Sequence, residues 1–511
     1  MSLTKKTIKA GTWQLISVVV KVFVQLFVIA ILARHIPLRD FGLIALANMV
    51  LVFVEMFAEA GIGAAIIQKK ILTNEDIRVG FTLSVLSGII FVVVLWLISP
   101  LVAKFFKMEY LNNVIKWLGL SILFIKFGTI SRSLLERDMR LDKLLLVDVG
   151  SYIFGYAPVG IGMAILGYGV WSIVIGKLVQ SFMQSVFLFL ACSHSTKPFF
   201  RIKECRDIGI YGGGLTIARF FDNIASQGDL FIVGRFCGVS LLGIYERSVS
   251  LTTMPGQYIG QIIDKAMFPA MSIVQDDSVK LQNAYLRTVS IVSMILVSSS
   301  ILMFLVAPEL IEFLLGPKWI DAIVPFRILV IMLNFRIAAN LSDVLVRATG
   351  KVYASAKRKV VFAFLVILGS WIGQHWGIIG VAIFVNIAIL TNYFMITQLS
   401  IKLMKLKFLC YFRNFKDGYI VGGVLLFISF PIISLLRFYF DSSFVVLFVG
   451  CIASILILFV TIVYFSPALF DNSVFWFLFQ IMGVKSWKLP LVGKRIKLRQ
   501  NYFSSNSVEI S

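Results

Sequence analysis

The chain has 511 residues, 59% of them hydrophobic and only 14% charged, with a mean hydropathy of +0.92. A soluble domain is roughly half apolar and about one quarter charged, so a wholly aqueous fold is excluded and lipid is the expected solvent. The net charge of +22 would suit nucleic acid in a soluble protein but basic loops facing anionic lipid in a membrane protein, so the placement of the charges decides.

Apolar runs long enough to cross a bilayer as helices predict an all-α integral membrane protein of about fourteen transmembrane spans. In chain order they lie near 12–33, 41–67, 79–103, 112–135, 146–166, 169–191, 208–234, 241–268, 285–307, 320–346, 356–375, 377–401, 418–437 and 443–465. The first follows the basic start MSLTKKTIKAG; it is too long for a signal-peptide core and has no A-x-A site, so it reads as an uncleaved span. The fifth and sixth spans are divided only at Gly167-Tyr168-Gly169, and the eleventh and twelfth only at His375-Trp376-Gly377. Beyond the last span, the aromatic-rich 474–483 and a following basic segment predict a tail on the inner membrane surface, with a weak partial span from Pro467 as the alternative.

With the N-terminus inside, thirty-three Lys and Arg fall in inner loops and ends and eight in outer ones. That asymmetry predicts both termini in the cytoplasm and removes nucleic acid as a partner. The longest loops, about sixteen residues, leave no soluble catalytic domain. The five cysteines are odd in number with no C-x-x-C pair, so neither a disulfide framework nor a zinc site is implied. There is no P-loop, and His35, His194 and His375 are isolated. The reading is a non-enzyme with no catalytic residue, metal or cofactor, driven where needed by a proton or Na⁺ gradient.

The chain repeats at an offset of 201 residues: Gly11 matches Gly212, Arg34 matches Arg235 and Gly42 matches Gly243. An even number of spans separates the copies, so they share one orientation. The domain expectation is an N-lobe at 1–195 (spans 1–6), a pseudo-symmetric six-helix C-lobe at 196–405 (spans 7–12), two extra C-terminal helices at 406–466, and a basic cytoplasmic membrane-surface tail at 467–511.

Ionisable side chains inside a bilayer are costly and mark helix faces turned from lipid. Gln14, Lys21 and Gln25 stripe the first span; Asn48, Glu55 and Glu59 the second; Thr216, Arg219, Asn223 and Ser226 the seventh, beside Asp222; Gln257, Gln261 and Asp264 the eighth; Arg336, Asn340, Asp343 and Arg347 the tenth. Lys21, Gln25, Arg219, Asn223, Arg336 and Asn340 are the candidate substrate-binding residues, the cations suited to phosphate. Glu55, Glu59, Asp222 and Asp229 are the candidates for ion coupling. The repeat offset carries Lys21 onto Asp222, and we expect the two to pair in one state of a transport cycle. Lys177 and Glu246 fall on no clear stripe.

The strings GIGAAIIQKK at 61–70, GRFCGVSLLGIYERSVSL at 234–251, FPAMSIVQDD at 268–277 and LLGPKW at 314–319 resemble the Wzx-type oligosaccharide flippases. These form the polysaccharide transporter branch of the MOP exporter superfamily, and the chain is most similar there to colanic-acid and teichuronic-acid exporters. Arg34, Gly42, Asp229, Gly243, Tyr245, Pro269, Gln275, Gly316 and Trp319 match recurrent positions of that family. The resemblance implies alternating access by a monomer of the bacterial inner membrane, coupled to an ion gradient. The implied substrate is an undecaprenyl-diphosphate-linked oligosaccharide repeat unit, flipped to the periplasmic leaflet for surface polysaccharide such as exopolysaccharide or lipopolysaccharide. A polymerase and a chain-length regulator of the same pathway are the implied partners besides membrane lipids. A cation-coupled multidrug or metabolite antiporter and a lipid II flippase remain as alternatives; the short loops disfavour a membrane glycosyltransferase or ligase.

Overall fold

A computed structural model describes residues 20–59, 62–69, 71–199, 220–273, 275 and 277–469. The expected surface tail, Arg219 and the first part of the first span lie outside the described residues. Helices account for all described regular structure, with no strand among the described residues. In lipid a spanning helix satisfies its own backbone, which is why the apolar runs become helices.

In chain order these are α1 (20–35), then α2 (Leu38–Glu59), α3 (Ile62–Gln68), α4 (Asn74–Phe105) and α5 (Glu109–Arg137). Next come α6 (Leu141–Ser151), which runs through a π-helical turn at Tyr152–Tyr156 into α7 (Ala157–Ile165), and α8 (Val170–Ala191). Then follow α9 (220–232), α10 (Val239–Ile273), α11 (Ser278–Leu305) and α12 (Ala307–Leu315). A 3₁₀ segment, Pro317–Ala322, leads to α13 (Ile323–Ile331) and α14 (Leu333–Ala348). The chain ends with α15 (Val352–Gly373), α16 (Gly377–Leu403), the short α17 (Phe408–Arg413), α18 (Lys416–Tyr439) and α19 (Ser443–Leu469).

Eight described stretches are long and apolar enough to cross a membrane, nine when the bent α13–α14 pair counts as one span. One of them, Tyr353–Leu403, reverses at the expected turn. A β-carbon on Gly373 would lie 2.7 Å from the Gly380 carbonyl, and one on Gly369 would lie 3.2 Å from Phe384. Only antiparallel neighbours bring those pairs together, and Gly377 supplies the left-handed turn at φ 66°. The Gly167–Gly169 turn likewise folds α8 back on α7, with Gly160 beside Ser172 and Gly176.

The described chain divides into two compact units. One comprises Met1–Thr252, Ile311–Leu329 and Ala356–Asn392; the other Thr253–Leu310, Val330–Ser355 and Tyr393–Ser511. In the first, α5 packs between α4 and α8, with α2 against it. In the second, α11 packs on α14 and α18, and α18 on α19. Small residues allow the α11–α18 approach: a β-carbon on Gly418 would lie 3.0 Å from Ser293. At the far end Arg437 grips the buried Glu309 through two hydrogen bonds, of 2.6 and 3.0 Å, and donates a third to the Leu305 carbonyl at 2.7 Å.

Candidate polar sites in the membrane helices

Lys21 and Gln25 lie one turn apart on α1, both half-buried, opposite the exposed Phe23 and Phe27. The polar stripe therefore faces away from the lipid side of its helix. Glu55 of α2 is half-buried too, and its helix meets α9 through an edge-on Phe53–Phe220 contact at 6.4 Å. Lys177 of α8 stands within electrostatic reach of both Glu55 and Lys21. Two cations and one carboxylate from three helices thus share a region of the first unit.

Lys177 falls on no clear stripe of ionisable residues, yet the sequence does carry a signal for it. Lys177, Gln180, Ser181 and Gln184 recur at helical spacing along α8. Gln184 donates to Asp148 at 2.8 Å, and Arg132 donates to the same carboxylate, so the polar face of α8 continues toward α5 and α6.

In this conformation Asp222 Oδ2 accepts from Lys359 Nζ of α15 at 2.6 Å. Helical periodicity identifies a face but not the element packed against it, and here α15 supplies a partner. Asn223, the next residue, is half-buried.

Asp229 is buried. Its Oδ2 accepts from Tyr245 Oη at 2.9 Å and its Oδ1 from the Leu230 amide at 2.9 Å. Here it ties α9 to α10 as well as standing as a coupling candidate. Two residues on, Arg247 lies 5.0 Å over the Phe41 ring, near Tyr156. Glu246 Oε2 is 2.7 Å from Arg247 Nε, but the pair is not aligned as a hydrogen bond. Arg247 is a second cation in the membrane helices, and the aromatic groups around it, Phe41 and Tyr156, come from other elements.

In the second unit Arg336 and Asn340 lie one turn apart on α14, Arg336 half-buried and Asn340 exposed. Asn340 Nδ2 would lie 3.9 Å from a β-carbon on Gly260. Asp343, on the same stripe, is held by Arg347 at 3.1 Å and by the Ser355 hydroxyl. Of the other candidates, Arg219 and the side chain of Glu59 lie outside the described residues. Among the described residues no group of three or more His, Cys, Asp or Glu could hold a metal ion.

The LLGPKW string packs onto the end of α1. Lys318 Nζ donates to the Arg34 and Ile36 carbonyls at 3.1 and 2.7 Å, and Trp319 Nε1 to the Ala33 carbonyl at 3.0 Å. Arg34 donates in return to the Phe313 carbonyl at 2.8 Å. The last carbonyls of a helix have no amide partner within it, and this strap supplies one.

A family model described as "Polysaccharide biosynthesis protein" matches residues 31–324, more than half of the chain. The chain belongs to this family. The chain is 26% identical over 306 residues to the lipopolysaccharide biosynthesis protein WzxC of Escherichia coli, a match covering 58% of this chain and 60% of that protein. It is 22% identical over 300 residues to the teichuronic acid biosynthesis protein TuaB of Bacillus subtilis, covering 58% and 61%. The matches thus span about three-fifths of the length of these curated relatives. The fold is that of MOP-superfamily transporters. The lipid II flippase MurJ in an inward closed conformation aligns with 90% of this chain and 99% of its own, with a TM-score of 0.72 at 15% identity. An inward-facing multidrug resistance MATE family transporter aligns over 75% and 94%, with a TM-score of 0.61 at 16% identity. The segment matched to the polysaccharide biosynthesis family contains Glu55, Lys177, Asp222, Asp229 and the LLGPKW strap, whereas Lys21 and Arg336 lie outside it.

Proposed function

We propose that this member of the polysaccharide biosynthesis family is a flippase. It carries undecaprenyl-diphosphate-linked oligosaccharide units from the cytoplasmic to the periplasmic leaflet of a bacterial inner membrane. The architecture proposed is fourteen spans, in two six-helix lobes plus two extra helices, with both termini cytoplasmic. The observation that carries the reading is the placing of Lys177 within electrostatic reach of Lys21 and Glu55, on three membrane helices, in a chain whose relatives are named for polysaccharide biosynthesis. Cations held at membrane depth are costly and mark a path for charged substrate, and a diphosphate is the charged part of this one.

Alternating access would expose that region first to one leaflet and then to the other. Glu55, Glu59, Asp222 and Asp229 are the proposed carriers of a coupling proton or Na⁺, and a glycan polymerase with its chain-length regulator would take the product. Deletion followed by complementation tests the reading. Loss of the gene should abolish one surface polysaccharide and leave its lipid-linked unit on the cytoplasmic leaflet. Unchanged surface polysaccharide refutes it, and loss of peptidoglycan synthesis instead would favour the lipid II alternative.

A further inference from the structure

The segment joining α16 to α18 carries five basic residues in fifteen positions: Lys402, Lys405, Lys407, Arg413 and Lys416. All five are exposed. Three basic residues of other expected inner loops are engaged: Lys69 by Asp76 at 2.6 Å, Lys359 by Asp222, Lys280 by Asp277 at 3.0 Å. These five have no carboxylate partner among the described residues, and the one acid nearby, Asp417, is turned inward and buried.

The cations are held on a fixed platform. Tyr411 and Phe415 of this segment are buried, and Tyr411 stacks on Tyr285 of α11 at a ring separation of 6.0 Å. Tyr393 of α16 meets the Phe415 ring at 6.4 Å and donates to the Tyr411 hydroxyl at 3.4 Å. The opposite side leaves Phe408 54% and Tyr419 46% exposed beside the cations. Lys405 also occupies the left-handed position that closes α16, at φ 53°, where glycine or asparagine is usual.

We infer that this platform is a docking surface for the headgroups of anionic phospholipids, with Phe408 and Tyr419 seated among the acyl-chain ends. Exposed aromatics at the polar–apolar boundary, flanked by unpaired Lys and Arg, match the surface of a negatively charged leaflet. Its position gives the two extra helices a purpose independent of the substrate moved: the lipid clamps the joint where α18 leaves the rest of its unit.

The test uses the full chain in neutral detergent, with phosphatidylglycerol, phosphatidylcholine or inorganic phosphate added, and amide exchange read over 402–419. Phosphatidylglycerol alone should slow exchange. A variant carrying Lys402→Gln, Lys405→Gln, Lys407→Gln, Arg413→Gln and Lys416→Gln should lose that protection, each neutralised cation weakening association roughly fivefold. Lys351→Gln with Lys357→Gln, on other exposed cations, should keep it, and unchanged exchange over α11 confirms that the five-site variant is folded. Equal protection by phosphatidylcholine or by inorganic phosphate, or none by phosphatidylglycerol, overturns the proposal.

Discussion

Gly42 and Gly243, 201 residues apart, meet backbone to backbone where α2 and α10 begin. A β-carbon on Gly42 would run into the Val239 carbonyl and stand 3.2 Å from the Gly243 amide nitrogen; one on Gly243 would run into the Leu38 carbonyl and stand 3.0 Å from the Gly42 amide nitrogen. Two positions matched at the 201-residue offset are thus in contact in space. Backbone cannot yield as a side-chain tip can, so Gly42→Ala and Gly243→Ala should each destabilise by ~1–3 kcal/mol or more. Gly162→Ala, with nothing within 4 Å of the new methyl, should be neutral or stabilising by up to ~1 kcal/mol. Thermal denaturation in detergent compares the three.

The strap on α1 makes a separate prediction. Trp319 is fully buried and its indole N–H is the partner of the Ala33 carbonyl; its ring stands edge-on to Phe41 at 5.1 Å. Trp319→Phe keeps an aromatic ring but strands a buried carbonyl, which costs ~1–3 kcal/mol. Trp319→Ala adds a cavity and should cost ~3–5 kcal/mol. A melting series in detergent that ranks wild type, Phe and Ala in that order supports the strap; a Phe variant as stable as wild type removes the hydrogen bond from the account.

His194 lies beyond the end of α8, between the Phe81 and Phe189 rings at 5.2 and 5.6 Å. Burial holds its pKa below the usual imidazole value of about 6.5. As pH falls through about 6.5 the undocked loop takes up a proton before the docked one does. Docking is therefore complete above that pH and weakens below it. Amide exchange over 193–199, corrected for its intrinsic pH dependence, should rise between pH 8 and pH 5.5 in the wild type and stay flat in His194→Phe.

Much of this arrangement was legible because lipid imposes strong rules. Apolar run length placed the helices, and the turns at Gly167–Gly169 and His375–Gly377 proved to be real reversals. Family-like strings proved to be mechanical parts, as Lys318 and Trp319 show in capping α1. What could not be read was partnership. The offset names Lys21 for Asp222 in one state of a cycle, whereas the Lys359 that α15 delivers to that carboxylate in this conformation has no such signal, and Lys177 comes within electrostatic reach of Lys21 and Glu55 from a helix whose stripe is built from weakly polar Gln and Ser. Periodicity resolves one helix at a time, whereas an intramembrane charge is defined by the helices around it.

Lys177 is accordingly the residue whose change should speak most directly to transport. On the proposed flippase function, Lys177→Gln removes a cation within electrostatic reach of Glu55 and should lower surface-polysaccharide export at least about tenfold, equivalent to ~1.4 kcal/mol. Lys177→Arg keeps the charge and should retain most of the export. Export in a complemented deletion strain, normalised to protein in the membrane fraction, separates this from poor folding. Equal export from Gln and Arg variants would remove the charge from the substrate path.

The Asp222–Lys359 pair should matter to the cycle more than to the fold. Its acid is 47% exposed, and a half-hydrated ion pair contributes only ~0–1 kcal/mol to stability, so Asp222→Asn should hardly move the melting temperature. Both groups must still find partners in each conformation that the helices adopt. Asp222→Lys alone should place two cations together and stop export, as Lys359→Asp alone should place two carboxylates together. If this contact is what the carboxylate provides, the double exchange restores export. If Asp222 must also meet Lys21 in another conformation, the double exchange stays inactive and further exchange of Lys21→Asp restores it. Export measured across the two singles, the double and the triple therefore distinguishes a fixed partner from one that changes during transport.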